Sequence, residues 1–364
     1  MKKILFLCGL FVFTFLQFGF SKEAEDKKIP TVKIFTEESG IDDKSFNAAA
    51  WKGILDYYND TWNNQKNRGK YYDVVTCPSA DQSKPIIKQI INEGVDLIIV
   101  TGFTFAQEIS ELADLYPEQK FVIIDVNTIN KPNVMEFVFH EEEGAYLVGV
   151  AAASQAKEEG VTNPKFGFIG GIAGPTITKF EIGYIQGIKS VLPNATVLDY
   201  YVGGWNKKAA AKEQARKWYD SGVYAIFSAA GNSGNGVIAQ AKELQLKGKK
   251  VWAIGVDSDQ YAEGIYSGTK SAVLTSMIKS VETATKLALT CVEKKSFKRG
   301  YITLSLKDKG VDFSKSNPDL KPSVIKQTEK AKQDIINQKI KIYSTYAAAK
   351  KAGIAPSGLG AKDN

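Results

Sequence analysis

The chain has 364 residues, too many for one small core and suited to two lobes. It carries 47 Lys and Arg against 40 Asp and Glu, for a formal charge of +7, but the excess is scattered, and no basic stripe with interleaved aromatics marks a nucleic-acid partner. With one His and three separated Cys, neither an ordinary His/Cys zinc site nor a disulfide framework is expected.

Lys2 and Lys3 precede an apolar run from Ile4 to Phe20, with the small residues Gly19 and Ser21 placed for a cut after Ser21. Residues 1–21 therefore read as a secretory signal peptide. The expected destination is the periplasm or the membrane-associated cell envelope. Cys8 lies too early in the run for a lipid attachment site. Residues 22–30 read as a polar tether.

From there, short β-branched runs alternate with amphipathic helical stretches. "TVKIFT" (31–36) is a predicted strand, and 45–58 a helix. "YDVVTC" (72–77), "DLIIVTG" (96–102) and "KFVIID" (120–125) are strands, separated by helices over 83–94 and 104–117. His140, followed by three Glu, reads as a solvated strand end and not as a base. The rhythm restarts with a long helix over 143–160. Strands follow at 165–171, 196–203, 225–230 and 251–257, with helices between them. A late strand, 271–276, leads into a helix over 277–294; a short strand at 301–305 and a charged helix at 323–338 come last. Apolar runs each followed by a helix imply parallel sheets with right-handed crossovers. The fold class is α/β, with two doubly wound lobes and a chain that crosses between them more than once. The expected allotment is 31–145 with 272–299 in the N-terminal lobe, and 146–271 with 300–342 in the C-terminal lobe. Residues 343–364 read as a frayed tail.

Ligands in such sheets bind beyond the carboxyl ends of the strands. Collected there are Glu37, "IDDKSFN" (41–47), Gly102 and Phe103, Asp125, "GGIAGP" (170–175) with Phe180 after it, Trp205, "AAGNSGNG" (229–236), Asp257, and Lys279 one turn into its helix. Neither glycine stretch has the spacing of a dinucleotide or phosphate loop. This collection lacks a His base, a Ser-His pair and a metal cluster, and no cofactor is called for. Aromatics suit a flat ring, carboxylates suit vicinal hydroxyls, and an amide suits a heterocycle edge. Asp43 and Ser45 are explained as helix caps. Phe46 and Asn47 are not, and are expected to face a ligand.

"IDDKSFN", "FEIGYIQG" (180–187), "GNGVI" (234–238), "WAIGVDSDQY" (252–261) and "VLTSMIK" (273–279) together resemble the basic membrane protein family, the substrate-binding proteins of nucleoside ABC importers. The resemblance spans about residues 31 to 340. It implies a type I periplasmic binding fold with a multi-strand hinge, and no catalytic activity. It implies a purine nucleoside as ligand, an inner-membrane ABC permease as partner, and a monomer. The base would stack between Phe46 and Trp205. Its edge would meet Asn47 and Glu37, where the family usually has Asp; the longer side chain is expected to reach deeper into the site. The ribose would meet Asp125, Asp257, Lys279 and the backbone at Gly231. The residues alone also allow a receptor for another hydroxylated ligand, such as a sugar or autoinducer, or a nucleoside-cleaving enzyme.

Overall fold

A computed structural model describes residues 28–354. The signal peptide, most of the tether and the last ten residues lie outside the described residues. Two six-stranded sheets organise the chain. The first runs, in spatial order, Gly300–Leu304, Val134–Phe139, Lys120–Ile124, Leu97–Thr101, Val32–Thr36 and Tyr72–Thr76, all parallel. The second runs Val311–Phe313, Val273–Lys279, Trp252–Asp257, Val223–Ala229, Lys165–Gly170 and Thr196–Tyr201. It is parallel except at its Val311–Phe313 edge. Central strands such as Leu97–Thr101 and Val223–Ala229 are buried along their whole length. Helices covering both faces explain why they read as continuous apolar runs and not as alternating ones.

Helix packing fixes each lobe. The helix Phe46–Tyr57 lies against Val281–Glu293, with Gly53 at the crossing. A Cβ there would stand 1.8 Å from Thr285 Oγ1. In the second lobe, Glu141–Glu158 packs along Pro175–Val191, and a Cβ on Gly187 would stand 2.1 Å from the Tyr146 carbonyl oxygen. Small residues let these backbones meet, so the lobes carry little slack.

The strands after residue 270 depart from the expected allotment. Val273–Lys279 pairs with Trp252–Asp257 in the second sheet, and Gly300–Leu304 pairs with Val134–Phe139 in the first. Each late strand thus sits in the opposite lobe, because it extends a parallel sheet at the edge where a partner strand is open. Lys279 closes its strand and does not enter the following helix, which starts at Val281. Over the described residues the chain therefore passes between lobes three times, near residues 139–141, 279–281 and 304–311. These passages are knitted together: the His140 N–H donates to the Leu304 carbonyl at 3.0 Å, and the Ser280 N–H to that of Gly310 at 2.8 Å.

The strand that ends before His140 is Val134–Phe139, and Glu136 lies inside its apolar run. That carboxylate is fully buried and accepts the backbone N–H groups of Ile129 and Asn130. The tail is not frayed from residue 343. Gln186 exchanges two hydrogen bonds with the Tyr343 backbone, and Tyr346–Lys351 is a short helix with Ala349 buried.

Candidate functional site

The two sheets point their carboxyl ends at one cleft. Glu37, Phe46, Asn47 and Asp125 line it from the first lobe. Phe180, Trp205, Gly231, Asp257 and Lys279 line it from the second. All nine residues expected to contact a ligand thus line one cleft, whereas the glycine stretch 170–175 does not. Thr101, Gly102, Phe103, Thr104 and Asp43 join them from the first lobe, and Ile177, Ala229 and Val256 from the second. Phe103 meets Trp205 edge-on across the cleft, with ring centroids 5.9 Å apart.

Backbone conformation aims the two aspartates. Asp125 (φ +72°), just past its strand, and Asp257 (φ +63°), the last residue of its own, both adopt the left-handed region. That conformation is uncommon outside glycine, though Asp tolerates it, and such outliers gather at functional sites. Gly231 takes the same region at φ +52°, where no side chain separates its backbone from the cleft.

Lys279 is the electrostatic centre. Its side chain is 1 % exposed, and its ammonium lies 2.6 Å from Asp125 Oδ1 and 3.1 Å from Glu141 Oε1. The rings of Phe46 and Phe139 lie 4.9 Å from it, and that of Phe180 5.5 Å. Burial disfavours its charge, but Asp125, Glu141 and Asp257 outweigh burial and hold its pKa above the usual lysine value. Glu141 binds a second ammonium, that of the half-buried Lys179, at 3.1 Å. Burial alone would raise the Glu141 pKa; Lys179 and Lys279 reverse this and keep it low. The reading of 140–143 as a solvated strand end is therefore corrected. Glu141 opens a helix at the hinge and is the buried counter-ion of two lysines. Acids in a first helical turn are ordinary in sequence; the signal was the pair of lysines, Lys179 and Lys279, in otherwise apolar surroundings.

Around residue 43 the cap reading is half right. Asp43 does cap the helix, accepting the N–H groups of Ser45, Asn47 and Ala48 at 2.9–3.0 Å. Its carboxyl is buried, which pushes its pKa up to about 7 against the pull of those bonds. Ser45 makes no cap bond. Its hydroxyl donates across the cleft to Asp257 Oδ2 at 2.5 Å. The loop carbonyls of residues 43, 44 and 45 accept from Asn235, Gln260 and Ser258 of the second lobe, at 2.8, 3.0 and 3.2 Å. These side chains latch the helix start to the opposite lobe. Burial raises the Asp257 pKa as well, opposed by Lys279 and the Ser45 bond.

Glu37 is folded onto its neighbours. It accepts the Ser39 N–H at 2.7 Å, the Ser39 hydroxyl, and Asn47 Nδ2 at 2.7 Å. Its longer side chain lies along the base of the helix and does not extend straight across the cleft. Cys77 and Cys291 are both free thiols.

A family model described as ABC transporter substrate-binding protein PnrA-like matches residues 31–346. The ABC transporter nucleoside-binding protein BmpA of Lactococcus lactis subsp. cremoris is 36 % identical, over 85 % of this chain and 88 % of that protein. Basic membrane protein A of Borreliella burgdorferi is 29 % identical, over 96 % and 98 %. A solute-binding protein of an ABC transporter system from Aeropyrum pernix shares the fold, with a TM-score of 0.77 at 24 % identity over 89 % of this chain and 98 % of that one.

Proposed function

The chain belongs to the PnrA-like family of ABC transporter substrate-binding proteins, and we propose that it captures purine nucleosides between its lobes and hands them to a membrane permease. The carrying observation is the pairing of a flat aromatic from each lobe, Phe46 and Trp205, with a carboxylate from each lobe, Asp125 and Asp257, in one cleft. A base fits between the rings. One Asp125 oxygen is taken by Lys279 and one Asp257 oxygen by Ser45. The second oxygen of each remains for a ribose hydroxyl. The Lactococcus relative is named a nucleoside-binding protein, which supports the same reading.

The protein acts as an exported receptor at the envelope, as a monomer, and performs no chemistry on its ligand. Among the described residues no helix is long and apolar enough to cross a membrane. Titration calorimetry with inosine, hypoxanthine, inosine monophosphate and ribose tests the reading. Inosine should bind far more tightly than the other three, since the free base lacks hydroxyls and the sugar lacks a ring to stack. The nucleotide brings charge to a cleft whose one lysine is already paired. Ribose binding as well as inosine would favour a sugar receptor. Release of hypoxanthine from inosine during incubation would make the protein an enzyme.

A further inference from the structure

Asn235, Ser258 and Gln260 reach across to the first lobe, yet they are not among the residues that line the cleft. Asn235 Nδ2 donates to the Asp43 carbonyl at 2.8 Å, Gln260 Nε2 to that of Lys44 at 3.0 Å, and the Ser258 hydroxyl to that of Ser45 at 3.2 Å. Three consecutive carbonyls are thus held from the opposite lobe. A carbonyl oxygen only accepts, so each bond needs its donor turned the right way. The second lobe fixes that turn from within. The Val256 N–H, which can only donate, bonds to Gln260 Oε1 at 3.0 Å and leaves Nε2 facing Lys44. The same Nε2 donates to Asn235 Oδ1 at 3.3 Å, which leaves Asn235 Nδ2 facing Asp43. Asn235 Nδ2 also donates to Asn232 Oδ1 at 2.9 Å, and Asn232 Nδ2 to Oδ1 of Asn206, the neighbour of Trp205, at 2.7 Å. This chain of amides lies wholly in the second lobe, so the donors are aimed whether or not the lobes touch.

We infer that Asn235, Ser258 and Gln260 are positioning residues that set how long the closed lobes hold a ligand, without selecting which ligand is held. The inference rests on the receptor reading above. The three bonds form only when the lobes meet, so they slow reopening and leave capture by the open cleft unchanged. They stand outside the cleft, so their contribution is the same for every nucleoside. Each is a bond between neutral groups, worth about two- to tenfold in an equilibrium constant.

The test is stopped-flow binding and release of guanosine, inosine and adenosine by wild type, Ser258→Ala and the double variant Asn235→Ala/Ser258→Ala. Loss of both bonds should raise the dissociation rate by about 5- to 100-fold. The factor should be the same for all three nucleosides, with the association rate within about twofold of wild type. Ser258→Ala alone should raise the dissociation rate by about two- to tenfold, and Ser258→Thr, which keeps the hydroxyl, should restore most of it. If the double variant does not fold, Ser258→Ala, placed in the loop after Trp252–Asp257, decides by the same criteria. An unchanged dissociation rate, a loss that falls on association instead, or a factor that differs severalfold among the nucleosides overturns the inference and leaves the receptor reading standing. Binding of no purine nucleoside by wild type overturns both.

Discussion

Replacing Lys279 with Met keeps most of the side-chain volume and removes the charge. The ammonium lies 2.6 Å from Asp125 and 3.1 Å from Glu141, with its side chain 1 % exposed. Its loss leaves two buried carboxylates facing each other with only Lys179 for balance. Removing one partner of a buried pair destabilises by about 3–5 kcal/mol, mostly through the stranded charge. The loss should depend on pH. Without Lys279 the folded-state pKa values of Asp125 and Glu141 rise, while their unfolded values stay near the ordinary carboxylate range. The folded variant then holds protons that the unfolded chain has released, so its stability falls as pH rises. Urea unfolding of wild type and Lys279→Met at pH 5 and pH 8 reads both effects. The deficit should reach the full range at pH 8 and shrink at pH 5, and adding Asp125→Asn should recover part of it at pH 8. A deficit below about 1 kcal/mol at pH 8, or one equal at both pH values, would show that the cluster is not the buried ion network described here.

Phe46→Ala and Trp205→Ala should each weaken nucleoside binding by about 1–3 kcal/mol on the scale of base–aromatic stacking, with the fold retained. An unchanged Kd in calorimetry would remove that ring from the site. Glu181 is buried beneath Tyr201, whose hydroxyl it accepts, and burial pushes its pKa from 4.5 up to about 8. The proton it keeps stabilises the fold fully below its unfolded pKa, and this contribution is lost as pH rises through about 8. Glu181→Gln should therefore gain in Tm relative to wild type between pH 5 and pH 9; a constant Tm difference across that range would mean the carboxyl is ionised throughout.

The cleft was legible where the parallel-sheet rule applies. Asp125, Trp205, Gly231 and Asp257 stand at or a few residues past the ends of apolar runs, and Phe46 and Asn47 open the helix that follows the first strand; that position sends them to a common edge. What the sequence concealed was pairing between distant segments. Glu141 looked solvated because its neighbours are acids; only the approach of Lys179 and Lys279 makes it a buried counter-ion. Ser45 looked like a cap because it precedes a helix, yet its partner Asp257 lies in the other lobe. The sheet to which Val273–Lys279 and Gly300–Leu304 belong is fixed by open edges, not by local periodicity. The strand end at His140 was legible, but the burial of Glu136 within that strand was not, since its two backbone donors come from the loop before the strand.

Native mass spectrometry of the protein mixed with equimolar purine nucleosides, free bases, nucleotides and sugars tests the central claim most directly. The account predicts one bound molecule per chain, with the mass of a purine nucleoside. A complex carrying a sugar or a nucleotide instead, or a chain that retains nothing from the mixture, would contradict it.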